Sequence, residues 1–317
     1  MSVFKSVAIS EFGAASVLTI QQNPITDLPA NEVRVEVAFA SINPIDLKTR
    51  AGLGWAAQAN KDNLPWVPGY DIAGTVIEVG TAVDSIKVGD RVAGMIGFPT
   101  QAGAYSQIWQ GSTEALVTLD VAIDLEQAAA FPLAGLTAYQ GLFKFGALGP
   151  GQKVLIVGAA GGVGHLAVQF AAFAGCEVIA SCGPKDIETV KALGATKAIS
   201  YEDGHLIAAE KNIDLVFDLV GGVATLTLLE LGLRAEKLVT VPTVTADVIN
   251  DNCFAKGIAS SGMLVESDPQ LLAHLFTSFE HGLQVIINQI YPLTQANQAH
   301  ADLESGKVKG KTLLKCN

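Results

Sequence analysis

Charge is scarce in this chain, and basic charge is scarcer. Of 317 residues 16% are charged, and Asp plus Glu outnumber Lys plus Arg by 31 to 20, for a formal net charge of −11. Proteins that grip nucleic acid or an anionic membrane surface do so with clustered Lys and Arg, and no such cluster occurs, so neither partner is expected. Cysteine is also sparse. Cys176, Cys182, Cys253 and Cys316 include no pair at the spacing of about two to four residues by which zinc ribbons and knuckles present two thiolates from one turn. Free thiols in a reducing compartment are the plain reading. The opening run MSVFKSVAIS lacks the charged start and long apolar stretch of a secretory signal, which gives a cytoplasmic expectation. Internal repeats and low-complexity linkers are missing too.

What the chain does have is apolar residues, 50% of the total. The segment from Val154 to Cys176 contains no Asp, Glu, Lys or Arg and is long enough to span a bilayer. Its centre is a cluster of glycines, which would weaken a spanning helix, whereas its first residues are β-branched and aliphatic. A buried strand, a tight turn and a buried helix account for the same letters, and no membrane segment is expected. The length exceeds what one core usually supports, so two domains are expected.

The first third reads as short strands, Ser16 to Gln22, Glu32 to Ala40, Gly74 to Val79 and Arg91 to Ile96, separated by Pro, Gly, Asp and Asn. Gly80 and Gly89-Asp90 punctuate a hairpin there. From about Leu125 the texture turns helical, through Ala128 to Phe131 and Leu136 to Phe145. Past Pro150 strands and helices alternate: strand Lys153 to Val157, helix Gly162 to Ala174, strand Glu177 to Ser181, helix Ile187 to Leu193 and strand Lys197 to Ser200. Asp214 to Asp218, Lys237 to Val241 and Ile258 to Val265 continue as strands. This alternation predicts a parallel sheet covered on both faces, an α/β unit. Two helical segments follow Asp268-Pro269, the second opening at Thr294 and closing at Gly306, and KGKTLLKC reads as a strand returning to the first domain.

The run Gly158-Ala159-Ala160-Gly161-Gly162-Val163-Gly164 sits between that first strand and its helix. A diphosphate approaches backbone closely only where side chains are absent, and it is stabilised by free N–H groups at a helix start. The strict fingerprint places Gly at 159, where this chain has Ala. A lone glycine-rich turn is a weak signal that a helix-packing turn would also satisfy, but the strand before it, the helix after it and the second strand supply the confirming context. The end of that second strand bears on which dinucleotide binds. An NAD site usually carries Asp or Glu about 20 residues beyond the turn. Here the position holds Ser181, followed by Cys182-Gly183-Pro184-Lys185. A missing acid and a nearby cation favour the 2′-phosphate of NADPH over the free hydroxyl of NADH, although Lys185 alone would be only a solvated charge.

Several segments, in order and over nearly the whole chain, resemble the medium-chain dehydrogenase/reductase superfamily, in its zinc-free quinone oxidoreductase (zeta-crystallin-like) and alkenal-enone reductase branch. They are ASINPIDLKTRAG (40 to 52), PGYDIAGTVIEVG (68 to 80), VGDRVAG (88 to 94), AAAFPLAGLTAYQ (128 to 140), AAGGVG (159 to 164), ALGATKAISY (192 to 201) and GKVKGKTLL (306 to 314). The resemblance implies a GroES-like β-rich catalytic domain over residues 1–122, a Rossmann NADP-binding domain over 123–265 and a return to the catalytic domain over 266–317, with the active cleft between domains. Zinc-dependent relatives carry Cys near Ile42, Gly-His-Glu where this chain has Gly69-Tyr70-Asp71, and a clustered cysteine lobe. Without those ligands no catalytic zinc is expected. Hydride transfer to an acceptor that needs little Lewis-acid help remains, and quinones and α,β-unsaturated carbonyls are such acceptors.

The resemblance also implies site residues. Asn43 and Asp46 match the polar pair near nicotinamide and substrate. Lys48 stands where many relatives have Tyr and is similar to a cofactor-reaching lysine of the enone reductases. Thr137, Val241 and Pro242 match positions beside the nicotinamide half. Ala160, Gly161, Gly162, Val163 and Gly164 form the phosphate turn, and Ser181, Lys185 and Tyr201 match the adenosine-phosphate contacts. Leu219 departs from the Asn usual before Val220-Gly221-Gly222, which puts a cofactor contact there in doubt. Each candidate has a plainer reading. Asp46, after Asn-Pro, caps a short helix as readily as it moves a proton. Tyr70 could donate to a carbonyl oxygen from the lost metal-ligand position or simply pack. His165, just after the turn, fits packing better than catalysis.

The expectation is thus a zinc-independent, NADPH-dependent reductase of quinones or conjugated carbonyls. The alternative is a non-catalytic NADPH-binding redox sensor of the same fold. The family implies a homodimer, with Ile258 to Val265 as the candidate sheet edge.

Overall fold

The computed structural model describes residues 3–306 and 309–317. Val308 and Lys307, within the closing GKVKGKTLL motif, lie outside the described residues. The chain divides into two compact units, Met1–Leu133 with Ser267–Asn317, and Ala134–Glu266.

Unit 1 begins with β1 (Val3–Ala8) and β2 (Thr19–Pro24), paired antiparallel. The long β3 (Glu32–Ile42) leads into α1 (Pro44–Arg50) and α2 (Gly54–Asn60), and β4 (Asp71–Val79), β5 (Arg91–Met95), β6 (Ile108–Ser112) and β7 (Val117–Thr118) follow, then α3 (Leu125–Ala130). Alternate residues of β3 and β4 are apolar and fully buried, among them Val33, Val35, Val37, Ile72 and Val76, as a sheet with one covered face requires. The segment expected as a strand from Ser16 to Gln22 is split: Ala15–Val17 is a 3-10 turn and the strand starts at Thr19. Helix α3 makes its packing contacts with β3 and β4, so unit 1 runs past residue 122, where sequence placed its end.

Unit 2 begins at Ala134 within α4 (Pro132–Tyr139), which runs on as a π-helical stretch Gln140–Phe145, and continues through β8 (Lys153–Val157), α5 (Gly164–Phe173), β9 (Glu177–Cys182), α6 (Ile187–Ala192), β10 (Lys197–Ser200), α7 (Gly204–Ala208), β11 (Leu215–Asp218), α8 (Gly222–Glu230), β12 (Lys237–Thr240), α9 (Ala246–Ala255) and β13 (Ala259–Gly262). The six strands pair parallel in the order β10-β9-β8-β11-β12-β13. In order of sequence this is 3-2-1-4-5-6, the doubly wound Rossmann arrangement. The core is aliphatic, with Leu155, Ile179, Val216 and Leu238 from four adjacent strands buried together.

The chain then returns to unit 1 with α10 (Pro269–Phe276), β14 (Ile287–Pro292), α11 (Ala296–Glu304) and β15 (Lys311–Lys315). Strand β15 lies between β14, parallel to it, and β3, antiparallel to it, in a sheet of order β14-β15-β3-β4-β5-β7. Lys311–Lys315 thereby belongs to the sheet of unit 1. Helix α11 is shorter than expected, because Leu293–Gln295 forms a 3-10 turn before it. Among the described residues no helix is long and apolar enough to cross a membrane.

Candidate functional site

In unit 2 the strand order reverses between β8 and β11, and ligands of such sheets bind at the carboxyl ends of the strands beside that point. The run Gly158–Gly164 leaves β8 there. Gly158 has φ of 86°, a left-handed conformation that favours glycine, whereas Ala159 does not. That is why alanine is tolerated at 159: the residue that must turn is one earlier. The carbonyl of Ser181, at the end of β9, accepts from the amides of Gly158 (3.1 Å) and Ala159 (2.9 Å) and ties the turn to the neighbouring strand. The backbone hydrogen bonds among the described residues give the amides of Ala160 and Val163 no acceptor. Uncommitted N–H groups at the start of α5 are the donor set that a diphosphate needs. A Cβ at Gly161 would meet only the Gly158 carbonyl, at 3.3 Å, so the space in front of it is open. The residues fit a dinucleotide.

The ring of His165 is bonded to the turn itself: Nδ1 lies 2.8 Å from the Gly161 carbonyl, and the side chain is fully buried. It braces the turn, which is the packing role sequence favoured. Ser181 is buried, Lys185 is exposed in the 3-10 turn Pro184–Asp186, and Tyr201 is exposed just past β10. Parallel pairing sets Ser200 opposite Cys182, and a Cβ at Gly183 would lie 3.6 Å from the Tyr201 ring, so these three residues gather at the ends of β9 and β10. Asp186 joins them, with Oδ2 2.9 Å from the same Cβ position. Sequence reading passed over it because it lies beyond the strand end where an acid is usually sought.

At the ends of β11 and β12 one buried carboxylate organises the backbone. Asp218 Oδ1 accepts from the amides of Val220 (3.1 Å) and Gly221 (2.9 Å) and from the Thr225 hydroxyl (2.8 Å), and Oδ2 accepts from the Thr240 hydroxyl (2.8 Å). Val241 donates to the Asp218 carbonyl, and Pro242 accepts from Thr245. This holds Val241 and Pro242 beside the loop Leu219–Gly222. The Leu219 amide bonds Val157, while Val220 lies over the phosphate turn, 2.9 Å from a Cβ at Gly158. Thr137 is buried in α4.

The other candidates lie in unit 1. Asn43 caps α1, and Asp46, on its first turn, reaches back so that Oδ2 accepts from the Asn43 amide at 2.8 Å: a capping box, with Pro44 at the first position. Both residues are buried. Asn43 Nδ2 donates to Asp71 Oδ2 (2.8 Å), its Oδ1 accepts from Lys311, and Asp71 Oδ1 accepts from the Leu133 amide (2.8 Å). Asp46 Oδ2 also accepts from the Tyr105 hydroxyl (3.2 Å), which lies 2.9 Å from His300 Nε2. Burial, opposed by the Asn43 amide bond, raises Asp46 to a pKa of about 7, and burial, opposed by Lys311, raises Asp71 to about 6. Burial holds His300 neutral, with a pKa of about 3. Lys48, on the second turn of α1, is half-buried, and desolvation pulls its ammonium below the usual lysine range. Tyr70 is fully buried, and its hydroxyl donates to the Pro99 carbonyl (3.0 Å) while its ring meets Phe98 edge-on. Asp71, Tyr105, His300 and Lys311 were not singled out from sequence. Among the described residues no group of three or more His, Cys, Asp or Glu is placed to hold a metal ion. Asp71 itself is committed to Asn43 and Leu133.

Comparison with known proteins agrees with this construction. Residues 29–121 match the model of the alcohol dehydrogenase GroES-like domain, and residues 193–314 match a model described as zinc-binding dehydrogenase. Among the described residues no donor set fits the zinc of that description. The 2-methylene-furan-3-one reductase of Solanum lycopersicum is 31% identical over 99% of this chain and 79% of its own length. The quinone oxidoreductase structure from Coxiella burnetii is 36% identical, covers all of both chains and superposes with a TM-score of 0.93. The quinone oxidoreductase of Escherichia coli, solved with NADPH, is 28% identical over 98% of this chain and 99% of its own, with a TM-score of 0.85. A GroES-like sheet, a doubly wound sheet in 3-2-1-4-5-6 order and these relatives together place the chain in the medium-chain dehydrogenase/reductase family, in its quinone oxidoreductase and alkenal-enone reductase branch.

Proposed function

We propose that this protein is an NADPH-dependent reductase of quinones or conjugated enones and enals that works without zinc. The observation that carries the reading is the grouping of Ser181, Lys185 and Tyr201 beside a phosphate turn with free amides. When bound, the nicotinamide supplies hydride to the electron-poor carbon of the acceptor. The protein's part is to hold and orient. The backbone of Ala160, Gly161, Gly162, Val163 and Gly164 cradles the diphosphate, and Ser181, Lys185 and Tyr201 take the 2′-phosphate. Thr137, Val241 and Pro242 border the nicotinamide half, and Lys48 reaches the cofactor. Asn43 and Asp46 shape the acceptor side. Tyr70 donates its hydroxyl proton to the Pro99 carbonyl and so packs there rather than serving a substrate oxygen. Solvent water provides the proton, so positioning is most of the catalysis.

Turnover of a quinone, enone, enal and saturated-aldehyde panel with NADPH and NADH, with and without a chelator, tests this. Reduction that survives chelation and prefers NADPH is expected. NADH preference or metal dependence would contradict it. One observation favours the second reading, a redox sensor: the polar atoms of Asn43 and Tyr70 are spent inside unit 1. Tight NADPH binding with no turnover across the panel would select that reading.

The protein is also proposed to form a homodimer in the cytoplasm. Strand β13 is an edge of the six-stranded sheet, so one row of its backbone groups is open to a second copy, and Phe254 on the adjacent α9 is 87% exposed. Light scattering is expected to give a dimer mass, and a monomer at working concentration would overturn this.

A further inference from the structure

Three of the unit 1 candidates belong to one short helix. Asn43 caps α1, Asp46 is on its first turn and Lys48 on its second, and the helix has only seven residues. A helix that short has no stability of its own in water, so its orientation is set by what packs on it. The polar contacts that hold it come in large part from three distant residues, His300, Glu304 and Lys311.

At the N-terminal end, Lys311 Nζ donates to Asn43 Oδ1 and to the Ile42 carbonyl (3.5 Å), and it lies 3.9 Å from Asp71 Oδ2, with both side chains buried. An ammonium only donates and a carboxylate only accepts. The Asn43 amide can therefore face them in one of its two flips only, oxygen to Lys311 and nitrogen to Asp71. Along the first turn, an ionised Asp46 takes the single Tyr105 proton, and His300 then donates to the Tyr105 oxygen through Nε2–H. Three groups then converge in sequence on Asp46: His300 through Tyr105, Tyr105 itself and the Asn43 amide. At the C-terminal end, Glu304 of α11 forms an ion pair with the buried Arg50.

We infer that Lys311 is a positioning residue for the reaction, fixing the Asn43 amide and, through the cap, the setting of α1 and Lys48, with His300 and Glu304 as its auxiliaries. The inference rests on the reading that Asn43, Asp46 and Lys48 serve the site. It concerns a buried lysine 268 residues from Asn43, with its contacts on Asn43, Ile42 and Asp71.

Lys311→Met, Lys311→Arg and Glu304→Gln in the full chain test it, alongside the wild type. For Lys311→Met, kcat is expected to fall roughly 10- to 100-fold, the scale of a misplacement of about 1 Å. Lys311→Arg restores most of that loss, because a cation again faces Asn43 and Asp71. The pH profile supplies a readout that simple destabilisation would not move. The titratable groups facing Lys311 and Asp46 are Asp71, Tyr105 and Tyr70, with His300 and Arg50 acting on Tyr105, and loss of the lysine charge raises both carboxylates, so a carboxylate-dependent limb moves to higher pH. Hydrogen exchange at the α1 amides should rise selectively in Lys311→Met while unit 2 stays protected, a result independent of turnover. A folded Lys311→Met with kcat within about twofold of wild type, an unmoved pH profile and unchanged α1 exchange overturns the inference. If Lys311→Met does not fold, Glu304→Gln decides: raised exchange in the last turn of α1 with a higher KM for NADPH supports the inference, and no change in either defeats it. If the wild type itself does not turn over, the functional reading fails, and the exchange data still judge the positioning role.

Discussion

Replacing Ser181 with aspartate is expected to reverse cofactor preference, lowering kcat/KM for NADPH by about 10- to several-hundred-fold while NADH is spared or improved. Ser181 is the penultimate residue of β9, and its carbonyl already fixes the phosphate turn, so the side chain at this position is held at a constant place relative to the diphosphate. A carboxylate there suits a ribose hydroxyl and repels a 2′-phosphate. Like charges near a surface interact by about 1 to 4 kcal/mol, and about 1.4 kcal/mol is tenfold. Lys185 is exposed, so salt partly screens its counter-attraction. Asp186, close to Gly183, adds to the repulsion. Steady-state kinetics with both dinucleotides, at one ionic strength, check the result. Melting must be measured in parallel, because Ser181 is buried and aspartate is larger and charged. A folded variant with unchanged preference would move the 2′-phosphate away from the end of β9.

The second large effect separates two glycines three residues apart. A Cβ at Gly164 would lie 2.2 Å from the Gly158 carbonyl oxygen and 2.8 Å from Ala159 backbone atoms. Backbone cannot step aside as a side-chain tip can, so Gly164→Ala must push α5 off the turn. A loss of about 1 to 3 kcal/mol in stability, together with most of the dinucleotide affinity, is expected. At Gly161 the nearest atom to a Cβ is 3.3 Å away, and a shift of a few tenths of an ångström accommodates it. Gly161→Ala should therefore melt within about 0.5 kcal/mol of wild type yet bind NADPH at least roughly tenfold more weakly, because the new methyl occupies the open face of the turn. Chemical denaturation and fluorescence titration of both variants give the comparison. Equal affinity in Gly161→Ala and wild type would mean that the diphosphate lies elsewhere.

Most of unit 2 was legible in the sequence because parallel strands buried on both faces read as unbroken aliphatic runs. Lys153–Val157 and Lys197–Ser200 have the boundaries that sequence gave them, and the phosphate turn falls between β8 and α5 as its glycines required. Unit 1 was harder to read. Strands β1, β6 and β14 are short, with mixed polar faces, and carry no sharp signal. The network around α1 could not be seen at all, since Asn43 and Lys311 are 268 residues apart and nothing in local spacing joins them. The available clue was a solitary charge inside an apolar stretch, Asp71 in PGYDIAG and Lys311 in GKTLL, because such a charge is buried only with a partner. Asp218 is a similar case. The departure at Leu219 drew notice, whereas the carboxylate one residue earlier sets the conformation of that loop.

The place of β15 has a consequence for how the chain acquires its structure. The Phe39–Ile42 half of β3 pairs with Leu313, Leu314 and their neighbours, so a sheet begun near the start of the chain waits for residues 311–315 to be synthesised. Unit 2 is continuous in sequence from Ala134 to Glu266 and can fold as it emerges from the ribosome. During that interval the upper half of β3 is an open edge that other chains can pair with. Substitutions that weaken β15 are thus liable to lower the yield of folded protein by aggregation during synthesis, even where the finished molecule tolerates them.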